Sequence, residues 1–307
     1  MALISEVAEK IYEIQPEGNA LEIFPLCTAY LIVDDHTALV EVGCAVQLPD
    51  ILAAADKLGY DIKKLSYIIP THVHLDHAGG AGFLARQLPQ TMVVTHPRAA
   101  RVLADPSILE RLMQGFEQVF GDDARERFGD VLPIAENKFV LVNDGDSVAL
   151  GQRKLRVIHT PGHDPNHLCF LDTRSKGLFC GDALGGYFPE IGVTIPSSAP
   201  GSDPVLTLQS IEKLQKLNPT KLFFSHGGTT GKADMILGQF ADNTRQCADI
   251  AFKALKAGKN REEIAKFLAD VLVRGTPLTR EEYLASLPFF ISAAVEGYRQ
   301  YFKKKML

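Results

Sequence analysis

Cysteine is sparse in this chain and never closely spaced. The five residues Cys27, Cys44, Cys169, Cys180 and Cys247 are an odd, scattered set without a CxxC pair. That pattern argues against a disulfide framework and predicts reduced, buried thiols. A basic surplus is missing too. The formal net charge is -5, and the one basic run, Lys303–Lys305, reads as a solvated helix end, so nucleic acid is not an expected partner. No apolar run approaches the roughly 18 residues of a membrane span. Residues 1–10 lack the basic-then-apolar pattern of a leader, and the cytoplasm is the expected location. No segment is polar and repetitive. With 46% apolar and 22% charged residues in 307, the composition is that of a globular protein with a sizeable core.

Short apolar strands separated by turns fill most of the chain. Lys10–Ile14, Thr28–Val33, Ala38–Val42, Leu65–Pro70 and Met92–Thr95 read as strands in the first third, with Asp34-Asp35-His36 as a hairpin turn. Helical periodicity covers Val46–Leu58, Gly80–Leu88 and Pro97–Leu103. Ser107–Phe128 is helical without that rhythm and reads as an insertion, about 105–130. Strands return over Phe139–Val142, Ser147–Leu150, Leu155–His159, Leu168–Leu171 and Gly177–Cys180. Tyr187–Pro204 holds four prolines and is expected to be a long functional loop. A helix over Val205–Leu217 and a strand over Lys221–Phe224 close this part. Beyond it, three helical stretches broken near Gly258 and Gly275-Thr276-Pro277 are expected. The division read from this is a catalytic domain over 1–232 and a helical extension over 233–307.

The sharpest feature is Thr71-His72-Val73-His74-Leu75-Asp76-His77, directly after an apolar strand. A tight turn there can aim several imidazoles and a carboxylate at one point, a donor set suited to zinc, manganese or iron. Three later positions end strands beside glycine: His163 in Thr-Pro-Gly-His, Asp182 in Cys-Gly-Asp, and His226 in Ser-His-Gly-Gly. Glycine lets backbones approach closely there.

This ordered set resembles the metallo-β-lactamase superfamily over roughly residues 8 to 232. The resemblance implies an α/β fold, a four-layer αββα sandwich with metals at one edge of its two sheets. It implies that His72, His74 and His163 hold one divalent ion, that Asp76, His77 and His226 hold a second, and that Asp182 bridges them. Two such ions share a water and lower its pKa from 15.7 to around 7, which gives a hydroxide for attack on a carbonyl or phosphorus. Asp76 is then a catalytic residue as well as a ligand, since it can orient the nucleophile. Ser225 and Cys180, beside ligands, read as structural. Glu41 stands where the family usually has aspartate and is expected to keep that group's role of steadying a ligand.

His167 is expected to hydrogen-bond at a strand start, His159 to pack in its sheet, His36 to be solvated and His96 to sit near the rim. The segment Thr71–Gly80 is similar to that of glyoxalase II-type thioesterases. Acyl-homoserine lactonases place a tyrosine soon after the bridging aspartate, and Tyr187 is the candidate here to polarise a substrate carbonyl; packing alone is its other reading. Phe116, Phe120, Tyr187 and Phe188 are expected to wall an apolar pocket. The reading is thus a metal-dependent hydrolase of a small ester, thioester or lactone, with zinc first and iron or manganese as alternatives. An iron-dependent oxidoreductase resembling persulfide dioxygenases and a metal-binding protein without catalysis are the other classes considered. No membrane partner is expected, and the helical tail is a candidate surface for a homodimer.

Overall fold

The computed structural model describes residues 2–16, 26–189 and 192–306. Residues 190 and 191 of the expected loop lie outside them. The chain forms two compact units, Met1–His159 with Leu168–Phe179, and Thr160–His167 with Cys180–Leu307.

In the first unit a seven-stranded sheet runs in chain order: β1 (Leu3–Ala8), β2 (Ile11–Gln15), β3 (Ala29–Ile32), β4 (Thr37–Val40), β5 (Leu65–Ile69), β6 (Met92–Thr95) and β7 (Phe139–Leu141). β1 to β4 pair antiparallel and β4 to β7 parallel. The parallel half requires crossovers, and helices supply them. These are α1 (Leu48–Lys57), α2 (Leu75–Ala78) and α3 (Ala81–Gln87), then α4 (Pro97–Ala104), α5 (Pro106–Phe120) and α6 (Ala124–Phe128). Leu39, Ile68 and Val93 of the strands are buried with Ile51, Leu84 and Leu103 of the helices. α5 and α6 make helical the segment about 105–130 that the sequence reads as an insertion. Asp105 opens α5 by accepting hydrogen bonds from the N–H groups of Ser107 and Ile108.

The antiparallel strands β8 (Ser147–Ala149), β9 (Lys154–His159), β10 (Leu168–Asp172) and β11 (Gly177–Gly181) follow. The Tyr30 ring of β3 meets the Phe179 ring of β11 edge-on at 5.4 Å. β1 was not anticipated, because none of its side chains is buried and they show little alternation.

The second unit holds β12 (Gly185–Phe188), β13 (Val193–Pro196), α7 (Pro204–Gln215), β14 (Lys221–Phe224) and β15 (Thr229–Thr230). Four helices complete it: α8 (Ala233–Lys256), α9 (Arg261–Leu272), α10 (Arg280–Ser286) and α11 (Pro288–Met306). Two expectations are corrected. The supposed loop after Tyr187 is in part a hairpin, with Gly185 opposite Pro196 and Tyr187 opposite Thr194. Proline is tolerated because Pro196 ends its strand, where a missing N–H does little harm. The tail has four helices, not three, because Pro288 starts a new one. The breaks at Gly258 and Gly275 are where they were expected, both with left-handed φ, +69° and +79°. Lys303–Lys305 form the exposed end of α11. Among the described residues no helix is long and apolar enough to cross a membrane.

Candidate metal centre

Parallel strands place their carboxyl ends on one side of a sheet, where ligands commonly bind. β5 ends there at Ile69, and the chain turns through Thr71 and His72 into α2, whose first residue follows His74. Asp76 and His77 lie in α2. The ring of His72 is 4.5 Å from that of His74 and 4.2 Å from that of His77. The four neighbours of the sequence motif are therefore also neighbours in space.

Their hydrogen bonds fix which ring nitrogen carries the proton. The Glu41 carboxylate, which can only accept, takes bonds from the Thr71 N–H at 3.2 Å and the Thr71 hydroxyl at 2.7 Å. It also lies 3.0 Å from His77 Nδ1, so that nitrogen carries a hydrogen and donates. The Thr71 hydroxyl has spent its one hydrogen on Glu41. It therefore accepts from His72 Nδ1, 3.0 Å away. Both imidazoles are left with an Nε2 lone pair, the form that ligates metal. Glu41 thus bonds His77 directly and reaches His72 through Thr71, the contacts that its expected role requires.

In the second unit His163 sits in the turn before β10. Gly162 has φ +141°, and a Cβ there would stand 2.6 Å from the Thr207 nitrogen of α7. His163 Nδ1 is 2.7 Å from Ser197 Oγ. Asp182 follows β11, and its N–H donates to His167 Nε2 at 2.9 Å. The other nitrogen of His167 must then carry the proton, which it gives to Thr160 Oγ1 at 2.9 Å. That is the hydrogen-bonding role expected of His167. His226 follows β14, and its carbonyl accepts from the Tyr187 N–H at 3.0 Å. Gly227 beside it has φ +109° and packs where a Cβ would overlap the Tyr187 carbonyl.

The separations within each unit fit a metal ion. His77 Nε2 lies 3.5 Å from Asp76 Oδ2, His163 Nε2 lies 3.4 Å from Asp182 Oδ2, and His226 Nε2 lies 3.7 Å from Asp182 Oδ1. A charge-assisted hydrogen bond would draw such atoms to about 2.7–2.9 Å. Two ligands placed tetrahedrally about 2.0–2.1 Å from zinc stand about 3.3–3.4 Å apart. His and Asp groups of the kind that hold a metal ion are thus present.

Other expected residues fall as follows. His36 is exposed, and all five cysteines are buried. Cys180 and Ser225, close to Asp182 and His226 in the chain, are buried. His159 stacks on His96 at 5.0 Å, and His96 Nδ1 accepts from the Arg98 N–H to open α4. Tyr187 is half-buried with its ring 5.4 Å from that of Phe224, while Phe188 packs on Phe290. Phe116 and Phe120 pack on each other and on Phe128. Two functional partners escaped the sequence reading. Thr71 stood in the motif and could have been suspected as a hydroxyl next to a ligand. Ser197 is 34 residues from His163 and carried no signal.

The family model for the metallo-beta-lactamase superfamily matches residues 24–226. The chain belongs to that superfamily. Among its relatives in the superfamily, the metallo-beta-lactamase fold-containing protein ST1585 of Sulfurisphaera tokodaii is 29% identical over 212 residues, 69% of this chain and 76% of that protein. A hydroxyacylglutathione hydrolase of Rhodospirillum rubrum is 33% identical over 147 residues, 46% of this chain and 43% of its own length. An acyl-coenzyme A thioesterase of Gallus gallus, MBLAC2, is 30% identical over 183 residues, 58% of this chain and 61% of its own length. The crystal structure of ST1585 superposes with a TM-score of 0.69 at 23% identity, covering 95% of this chain and 99% of that one. The fold class is therefore the α/β metallo-β-lactamase type that the resemblance implied, and the chain is a member of a metallo-hydrolase superfamily.

Proposed function

We propose that this protein is a dinuclear metal hydrolase acting on a small ester, thioester or lactone. The observation that carries the reading is the hydrogen-bond chain from Glu41, which leaves His72 and His77 of one turn with Nε2 lone pairs for a metal. In this proposal His72, His74 and His163 hold one ion, Asp76, His77 and His226 the other, and Asp182 bridges. Zinc is expected first, and the same nitrogen and oxygen donors accept iron or manganese. When bound, such ions acidify water and stabilise negative charge developing on oxygen.

The side chains divide the remaining work. Asp76 orients the attacking water, and the Tyr187 hydroxyl donates a hydrogen bond to the substrate carbonyl. The catalytic domain spans 1–232, with 233–307 as its helical extension, and the protein works in the cytoplasm. Relatives named as a hydroxyacylglutathione hydrolase and an acyl-coenzyme A thioesterase favour the thioester among the three substrate classes.

The test is metal analysis of the protein as isolated, then a panel of esters, thioesters, lactones and phosphodiesters with each reconstituted metal. Two equivalents of metal and turnover of an acyl substrate are expected, and Asp182→Ala is expected to lose the second equivalent and the activity. A fully metallated protein inert across the panel would end this reading. One equivalent of iron with oxygen consumption would replace it with an oxidoreductase.

A further inference from the structure

The last helix bears directly on the ligands of the second unit. Gly297 lies within α11, a 19-residue helix, and its φ is not left-handed. Nothing in its own backbone calls for glycine, which costs about 1 kcal/mol against alanine inside a helix. The reason is a close approach. A Cβ at 297 would overlap the Ser198 carbonyl oxygen and stand 2.6 Å from that of Ala199. The neighbouring Ser197 is the residue whose Oγ lies 2.7 Å from His163 Nδ1, and both are buried. Ser197 is also tied on its other side, its N–H donating to the Leu184 carbonyl at 2.9 Å. At the start of the same helix, Phe290 sets its ring edge-on to that of His226 at 6.3 Å.

We propose that α11 seats the metal ligands of the second unit, with Gly297 as a positioning residue that presses Ser197 onto His163 through the Ser198 carbonyl. The inference rests on the metal-hydrolase reading and deepens it. Ser197 fixes the His163 ring so that Nδ1 carries the hydrogen and Nε2 faces the ion, and α11 fixes Ser197. The helical tail is then part of the metal site's support. Partners that orient a ligating histidine are worth about 10–100-fold in metal affinity.

The experiment compares zinc affinity, by competition with a chromogenic chelator, for wild type, Ser197→Ala, Gly297→Ala, the double variant, and Lys303→Ala at the exposed end of α11 as control. Ser197→Ala and Gly297→Ala are each expected to weaken zinc binding about 10–100-fold. The double variant is expected to be no worse than Ser197→Ala alone, because both act through one hydrogen bond. Lys303→Ala is expected to bind as wild type. A folded Gly297→Ala protein with wild-type affinity, or fully additive losses, would overturn the proposal.

Hydrogen exchange on the unaltered protein gives a second measurement that does not depend on a variant folding. Coupling is reciprocal, so zinc that benefits from α11 must stabilise α11 in return. Zinc is expected to slow amide exchange over 289–298 and leave α9 unchanged. No protection of that stretch would overturn the inference. If wild type binds neither zinc, iron nor manganese, the hydrolase reading falls with it. If wild type binds zinc and turns over an acyl substrate while the α11 tests fail, only the inference falls.

Discussion

Glu41 Oε1 stands 3.0 Å from His77 Nδ1, with both side chains buried. Glu41 reaches this position from a left-handed backbone, φ +61°, a conformation that costs a non-glycine residue about 1–2 kcal/mol. Fixed there, one carboxylate serves both Thr71 and His77. Glu41→Gln keeps the length and loses the charge, and is expected to weaken zinc binding about 10–100-fold. Glu41→Asp is expected to move in the same direction, since the shorter arm cannot serve both partners from that backbone. Calorimetric titration with zinc checks both. Wild-type affinity in both variants would remove Glu41 from the support of the site.

His167 Nε2 holds the backbone N–H of Asp182. Removing the ring in His167→Ala strands a buried N–H at a cost of about 1–3 kcal/mol. The expected outcome is a lower midpoint in denaturant together with weaker zinc binding, because Asp182 loses its anchor. Loss of stability with untouched affinity would confine His167 to a structural part.

Asp34 gives the first unit a pH dependence. Burial raises its carboxyl, but the N–H groups of Asp35, Gln152 and Arg153 and the Arg153 charge outweigh burial and hold it below the ordinary 3.8. Its folded pKa is below its unfolded pKa, so the native state releases the proton more readily. The stabilisation is therefore complete above the unfolded value and is lost as pH falls through the folded one. Asp34→Asn is expected to cost about 1–3 kcal/mol near neutral pH, with the gap to wild type closing below about pH 4. Urea midpoints at pH 7 and pH 3.5 measure this, and an equal gap at both would contradict the assignment.

The thiols are expected to be silent in the folded protein. Burial pushes Cys247 up to about 12, and burial with the nearby Asp76 charge pushes Cys44 well above its ordinary 9.0. Only the thiolate attacks an alkylating reagent or an aromatic disulfide. At pH 8 the native protein should release almost no thionitrobenzoate, and five equivalents should appear in guanidinium. Rapid labelling of a native thiol would show an accessible cysteine that the fold does not predict.

How far the sequence reached depends on the range of the signal. The HxHxDH turn was legible because its four donors are held together by one short stretch of backbone. The left-handed stops at Gly258 and Gly275 and the proline start of α4 were legible for the same local reason. The hairpin of β12 and β13 was not. Its prolines argue for a loop, and only pairing with the partner strand shows that Pro196 sits where a missing N–H is harmless. The start of α11 at Pro288 was hidden by a run of helical residues on either side.

The sequence alone determined which residues could be ligands and in what order the strands deliver them, since residue type and apolar periodicity act over a few positions. The tertiary structure alone decided which ring nitrogen of His72 and of His77 carries the hydrogen, the contact of Ser197 with His163 and the close approach of Gly297 to the Ser198 carbonyl. Each of these depends on a hydrogen bond or a backbone contact between positions far apart in the chain. Such pairs meet only after the strands and helices have packed, and no local preference records them.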